Sequence, residues 1–385
     1  MSTRVLIARG HQVTPWELRP WAHLPDRFEV FYLFTGRNLF GDPQLGLGRR
    51  PVRTLRDFVP RGRVGDLVTG VIGDRYIRPD EALADADIVH GNELHVWYTE
   101  NVARRKRRHG FKLVQTVWET LPLLSAYRTF HARPNRERIL ELTDLFLPAT
   151  ERARQALLLE GVPDEKIVVA PPGIELDRFR AARDQERPEH VVLSPGRLEW
   201  QKGHHDVLRA VAAIRRGIVA ADMPAPRVRL VGAGPEEARL REHAHELGIG
   251  DLVEFRQVSY DEMPAVFGSA SCLVLASLPS SGCQYHPLDL PRCFWEEQFG
   301  MVLAEGMAAG LPILASESGA IPEVLGDNAA YFAPGDWMGI ARALVDGPLA
   351  RDPAERVDHP PELLERYSLE AAGTRLAAAY DRVLA

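Results

Sequence analysis

Short runs of β-branched and aliphatic residues alternate along the whole chain with stretches whose apolar positions recur every three or four residues. This alternation predicts an α/β chain in which doubly wound parallel sheets are wrapped by helices on both faces. In the first half, strands are predicted at 4–8, 29–33, 88–90, 112–117, 145–148 and 167–170, with helices at 93–108, 135–143 and 150–160. The segment 171–190 breaks the rhythm: it opens on Pro171-Pro172-Gly173 and ends in charge, so it reads as a linker. The rhythm then restarts, with strands at 191–195, 227–231, 253–256, 272–276, 312–315 and 329–332. Helices at 203–216, 235–247, 260–267, 302–309 and 336–345 separate them. The 385 residues are too many for one ordinary core, so the expected domains are 1–180 and 181–360, with a helical pattern at 361–385 left over. Two doubly wound domains joined by one linker predict an active site at the carboxyl ends of the strands.

Within this pattern one helix stands out. From Val302 onward it is small and apolar on every side, the pattern of a helix buried all round, yet it carries Glu305, while Glu297 lies in the loop before it. Two carboxylates flanking a helix N-terminus suit a polyhydroxylated ligand: one holds sugar hydroxyls, the other ribose, and a phosphate lies at the free N–H groups between them. The plain alternative is an exposed Glu297 and a locally paired Glu305. A second signal is the strand-to-helix turn Ser194-Pro195-Gly196-Arg197-Leu198-Glu199-Trp200-Gln201-Lys202-Gly203, where Arg197 and Lys202 could clamp a diphosphate and stabilise a leaving group.

With these blocks in view, the chain resembles the retaining glycosyltransferases of family 4. The resemblance rests on Ala149-Thr150-Glu151 through Val169, Pro172-Gly173-Ile174-Glu175 with Phe179, Gly196-Arg197-Leu198 with Lys202-Gly203, and Leu230 through Pro235. It also rests on Glu297 and Glu305 as an E-x7-E motif and on Gly319-Ala320-Ile321-Pro322-Glu323-Val324. It implies the GT-B fold: an N-terminal acceptor-binding domain, a C-terminal nucleotide-sugar-binding domain, and a C-terminal helix at 361–385 packing back on the first. It also implies transfer of a hexose-type sugar from a nucleoside diphosphate to an acceptor hydroxyl with retention, without metal or other cofactor. Arg197, Lys202 and Glu297 become the catalytic candidates. Donor-binding candidates are Gly10, Val258, Phe299, Gly300, Met301, Val302 and Glu305. The family's nucleobase edge falls on Arg256-Gln257-Val258, with Gln257 where members usually have Gly. Its Gly-rich loop after the first strand is reduced to Gly10 and His11, and Trp118 and Glu119 stand where many members have His-Asp. Those two are therefore read as acceptor or sugar contacts.

Composition narrows the rest. No apolar run reaches bilayer length and no signal peptide is evident, and three cysteines, an odd number, favour free thiols in a reducing compartment, so a cytoplasmic protein is expected. Lys plus Arg outnumber Asp plus Glu 28 to 23 in residues 1–180, and are outnumbered 19 to 30 in the remainder. The basic run Arg104, Arg105, Lys106, Arg107 and Arg108 suggests peripheral contact with an anionic membrane, or else a solvated helix end; no nucleic acid partner is indicated. Three other signals compete. Gly232-Ala233-Gly234 follows a strand as a dinucleotide fingerprint would, which keeps an NAD-dependent Rossmann enzyme as an alternative, but Glu237 stands at the third glycine position. Asp85-Ala86-Asp87 imitates a metal-binding pair, and Cys283, His286 and Cys293 could be written as three zinc ligands without a fourth. A catalytically inactive nucleotide-sugar-binding protein of the same fold is the non-enzyme alternative.

Overall fold

The computed structural model describes residues 2–42, 45–124, 131–183, 185, 189–279 and 295–385. The chain forms two compact units. The first contains residues 1–174 with 366–385, the second residues 175–365.

Six parallel strands make the sheet of the first unit: β1 (Thr3–Ile7), β2 (Phe28–Phe34), β3 (Gly48–Pro51), β4 (Ile88–Asn92), β5 (Lys112–Val117) and β6 (Leu145–Pro148). They lie in the order β3-β2-β1-β4-β5-β6, so the direction of winding reverses between β1 and β4. Burial on both faces explains why the strands read as continuous apolar runs: Val5 and Ile7 enter one core cluster, Leu6 and Ala8 the other. The helix Leu369–Leu384 closes the first of these faces with Leu376, Ala377, Tyr380 and Val383. Its Tyr380 hydroxyl accepts a hydrogen bond from Trp21 Nε1 at 2.7 Å.

The second unit repeats the plan with β7 (Val191–Pro195), β8 (Arg227–Val231), β9 (Val253–Arg256), β10 (Cys272–Leu275), β11 (Ile313–Ser316) and β12 (Ala330–Phe332). Their order is β9-β8-β7-β10-β11-β12, and every pairing is parallel. Both sheets are thus doubly wound and Rossmann-like, the class that the apolar pattern predicts. Each has its reversal at the central pair of strands, where ligands bind in open α/β sheets.

Several expected elements differ. The strand expected at 167–170 is reduced to one bridge between Ile167 and Phe146. The helix expected over 93–108 begins only at Trp97, because Glu93 adopts φ +58°, and its first segment ends at Ala103. The expected linker contains the helix Leu176–Arg180, with Leu176 and Phe179 buried, and from Glu175 onward its described residues belong to the second unit. The terminal pattern is two helices, Pro361–Glu365 and Leu369–Leu384. Ser368 starts the second by accepting from the Ala371 N–H at 3.0 Å. Strand β3 and the helix Arg63–Ile72 are additional elements. Among the described residues no helix is long and apolar enough to cross a membrane.

Candidate active site

At the end of β7 the chain turns through Gly196 to Gly203 before the helix His204–Arg215. Backbone contacts hold this turn. The Gly196 N–H bonds Val231 O at 2.9 Å, the Leu198 N–H bonds Ala233 O at 3.0 Å, and the Glu236 N–H bonds Leu198 O at 3.0 Å. The glycines of the Gly232-Ala233-Gly234 turn serve this contact: a Cβ on Gly232 would lie 1.9 Å from Gly196 O, and one on Gly234 2.3 Å from Leu198 O. That turn thus packs against the Arg197 loop, and Glu236 and Glu237 behind it pair with Arg239 and Arg241. This use of the glycines argues against the dinucleotide fingerprint.

A buried polar bridge adds to the loop. His204 Nε2 lies 3.2 Å from Arg197 O, which can only accept, so the ring proton sits on Nε2. Nδ1 then accepts from the Ser194 hydroxyl at 2.9 Å. Burial pushes this histidine down to about 4, so it stays neutral and keeps that tautomer. Sequence reasoning missed both residues. The only available signal was a strand-end Ser ten residues before a helix-start His. Arg197 points outward, its side chain 64% exposed, and rests on Glu199 at 2.7 Å.

Lys202 turns inward. Its Nζ meets Glu297 Oε2 at 2.7 Å with side-chain exposures of 13% and 7%, and lies 4.8 Å from the centre of the Trp295 ring. The same carboxylate oxygen accepts from Ser277 Oγ at 2.6 Å, and Ser316 Oγ donates to Ser277 O at 2.6 Å. Glu297 is therefore buried and partnered, which removes the reading of an exposed loop carboxylate. A buried ion pair is stable only when further hydrogen bonds satisfy it, and Ser277, also missed by sequence reasoning, supplies one. Gly319 lets the backbones meet here: it has φ +58°, and a Cβ would lie 2.1 Å from Glu297 O. Ala320 N–H bonds that same oxygen at 2.8 Å.

Phe299 is buried and Gly300, at φ +77°, opens the helix Met301–Ala308, so the N–H groups of Met301 and Val302 belong to a first turn without intrahelical partners. Glu305 lies one turn deeper, 4% exposed, with no hydrogen bond or ion pair to its carboxylate among the described residues. Burial pushes its pKa up to about 8, opposed by the charge of Arg178, so the carboxyl is protonated at neutral pH. Val258 is half-buried just beyond β9, with Gln257 exposed beside it. Arg197, Lys202, Glu297, Glu305 and Val258 all belong to the second unit.

Gly10, Trp118 and Glu119 belong to the first unit, at the carboxyl ends of β1 and β5. Gly10 has φ +63°, a Cβ there would lie 2.2 Å from the Tyr98 ring, and its N–H donates to Tyr76 Oη at 2.7 Å. The Trp118 N–H donates to Glu93 Oε1 at 2.9 Å, and Glu119 Oε1 accepts from the Leu121 N–H at 3.3 Å. The basic run is locally engaged: Arg104 meets Glu100, Arg105 and Arg108 meet Asp80, Lys106 meets Asp144, and Arg107 meets Glu141. Asp85 faces Arg4 and Arg50. Cys283, His286 and Cys293 lie outside the described residues, and among those described no cluster of His, Cys, Asp or Glu has metal-holding geometry.

Comparison with known proteins gives a consistent result. The family model of glycosyl transferases group 1 matches residues 176–347, and that of glycosyltransferase family 4 matches residues 3–178. A GDP-mannose-dependent alpha-(1-6)-phosphatidylinositol monomannoside mannosyltransferase of Mycobacterium tuberculosis is 31% identical over 223 residues, covering 55% of this chain and 51% of that one. The chain thus spans about half the length of the curated relatives that it matches first. D-inositol 3-phosphate glycosyltransferase of Mycolicibacterium smegmatis is 28% identical over 328 residues, covering 78% and 66%. Among solved structures, Anabaena Alr3699/HepE in complex with UDP and glucose superposes with TM-score 0.70 over 99% of this chain and 100% of that one, at 16% identity.

Proposed function

The chain belongs to glycosyltransferase family 4, and on that premise we propose that it moves a hexose-type sugar from a nucleoside diphosphate to an acceptor hydroxyl with retained anomeric configuration. The observation that carries the reading is the buried Lys202–Glu297–Ser277 group beside the N-terminus of the helix that holds Glu305. In the proposed reaction the bond between the sugar's anomeric carbon and the diphosphate oxygen breaks as the acceptor oxygen attacks from the same face. A phosphate oxygen takes the acceptor's proton. Arg197 and Lys202 offset the charge growing on the diphosphate, a preorganised electrostatic role that requires no covalent enzyme intermediate. Glu297 orients the sugar hydroxyls and Glu305 the ribose. Neither role requires a metal or other cofactor. First-trial donors follow from the relatives: one is named for GDP-mannose, and the Anabaena structure holds UDP and glucose.

The test is a panel of GDP- and UDP-sugars incubated with the chain in excess chelator, with the anomeric configuration of any product or hydrolysed sugar read by NMR. Transfer or donor hydrolysis with retention is expected. Inverted product, or turnover that appears only when manganese is restored, overturns the mechanism. Unfolding midpoints that rise with NAD and with no nucleotide sugar would return the chain to nicotinamide chemistry.

A further inference from the structure

Where the winding of the first sheet reverses, the residue after Ala8 is an arginine that the donor chemistry above does not use. The Arg9 side chain is buried, at 6% exposure. A guanidinium carries five N–H donors, yet among the described residues this one makes two hydrogen bonds, both 3.4 Å long, to His90 O and Thr116 Oγ1. The Trp21 ring lies 5.5 Å away. No carboxylate pairs with it among the described residues. Glu17 and Glu93 act on it only through their charge, from beyond ion-pair distance; Glu17 accepts from Thr14 Oγ1 at 3.2 Å and Glu93 from the Trp118 N–H at 2.9 Å. His90 adds no countercharge. Its Nδ1 lies 2.6 Å from Tyr380 Oη and its Nε2 2.8 Å from Thr116 Oγ1, and burial beside Arg9 holds it neutral.

A buried cation without an ion partner is costly, and proteins retain one where a ligand supplies the opposite charge. Arg9 stands at the carboxyl end of β1, next to β4, which is where an open α/β sheet receives its ligand. The loop backbone that carries it is fixed by the Gly10 contacts to Tyr76 and Tyr98, and the guanidinium itself rests on His90 O and Thr116 Oγ1. Two parallel N–H groups of a guanidinium match two oxygens of a phosphate.

We propose that Arg9 binds a phosphate group of a substrate at the carboxyl end of the first sheet. The proposal rests on the glycosyltransferase reading. Calorimetry on the full chain with GDP, UDP, glucose 6-phosphate and glucose tests it, using Arg9→Gln and Arg9→Lys beside wild type, with unfolding midpoints confirming that each variant folds. Arg9→Gln should weaken at least one phosphate-bearing probe by about 10- to 100-fold, and Arg9→Lys by less, since the charge remains but the paired donors do not. Loss confined to glucose 6-phosphate assigns the group to a phosphomonoester; loss on GDP or UDP assigns it to a diphosphate. Unchanged affinities, or an equal loss for neutral glucose, overturn the proposal. Should Arg9→Gln fail to fold, Arg9→Lys decides alone: a severalfold loss on a phosphate probe upholds the proposal, and wild-type affinity for all of them overturns it. Lys202→Ala keeps the two readings apart, because undiminished nucleotide affinity in that variant refutes the donor site whatever Arg9 does.

Discussion

The two sheets share one strand order and one point of reversal, yet the chemistry at those points differs. In the second unit the reversal carries a buried cation and anion in contact, Lys202 and Glu297, with a serine completing the carboxylate's partners. In the first it carries a buried cation, Arg9, with no anion in contact among the described residues, set among neutral groups that include a histidine kept uncharged by burial. Topology therefore fixes where a ligand can enter, while the charge left in each place decides what kind of ligand it is. The second unit holds a balanced pair, which on the proposed reading a donor would have to reorganise. The first holds an unbalanced charge that a ligand would complete.

The sharpest way to break this contrast is to remove the balance. Lys202→Ala should lower turnover roughly 10²- to 10³-fold, as loss of a preorganised charge does, and should also destabilise the second unit by about 3 kcal/mol because Glu297 is left buried without its cation. Adding Glu297→Gln should restore much of the stability and none of the turnover. Steady-state rates and urea unfolding of the double variant and of each single variant measure both effects, and additive stability losses would show the pair to be uncoupled.

A backbone change should come next in size. Gly232→Ala places a methyl 1.9 Å from Gly196 O, so the Arg197 loop must shift, and a loss of about 2–3 kcal/mol with reduced nucleotide affinity is expected. A variant with wild-type midpoint and affinity would mean that the two turns are not held together as described.

Glu305 gives a smaller effect that depends on pH. Its folded-state pKa, pushed up to about 8, lies above the ordinary carboxylate value, so between these the native state holds a proton that the unfolded chain releases. Stability from this group is complete below about pH 4.5 and is lost as pH rises toward 8. His204, pushed down to about 4, tilts the other way between pH 4 and 6.5, so the carboxyl is best read above pH 6.5. There Glu305→Gln should flatten a slope on the order of 1 kcal/mol per pH unit, measured by urea melts at pH 6.5, 7.25 and 8. An unchanged slope would place the ionisation elsewhere.

The smallest effect is expected from Arg107→Ala and Arg108→Ala. Both side chains are largely exposed, at 84% and 74%, and their partners Glu141 and Asp80 reach them at 3.5 Å and 3.2 Å. Stability should move by less than about 0.5 kcal/mol. Co-sedimentation with acidic vesicles should also be unchanged, since the run is already matched by carboxylates. A marked loss would support the run as a membrane contact.

Legibility follows the same divide. The second unit's strands are short stretches rich in aliphatic and aromatic residues, two of them interleaved with charge, and each was visible from that pattern. Glu305 was visible because a carboxylate is out of place in an apolar helix. The edge strand β3 was not, since Gly48-Arg49-Arg50-Pro51 carries two charges, with Arg49 exposed, and ends in proline, which has no N–H to pair. The late start of the helix at Trp97 depends on a positive φ at Glu93, which no local rule assigns to glutamate. Ser277 and the Ser194–His204 bridge depend on side chains brought together by the sheet, and Arg9 looked like any polar residue after a strand.

The return of the helix Leu369–Leu384 to the first unit also bears on the order of assembly. Trp21 and Tyr380, which share a hydrogen bond, are 359 positions apart, and the whole second unit is threaded between them. A ribosome delivers the chain from the N-terminus, so the sheet β1 to β6 emerges long before the helix that covers Val5, Ile7 and Ile88. The second unit, by contrast, has its whole sequence in hand once residue 365 has emerged. The first unit's sequence is therefore completed after the second unit's, and until the helix Leu369–Leu384 emerges this face of its sheet lacks that cover.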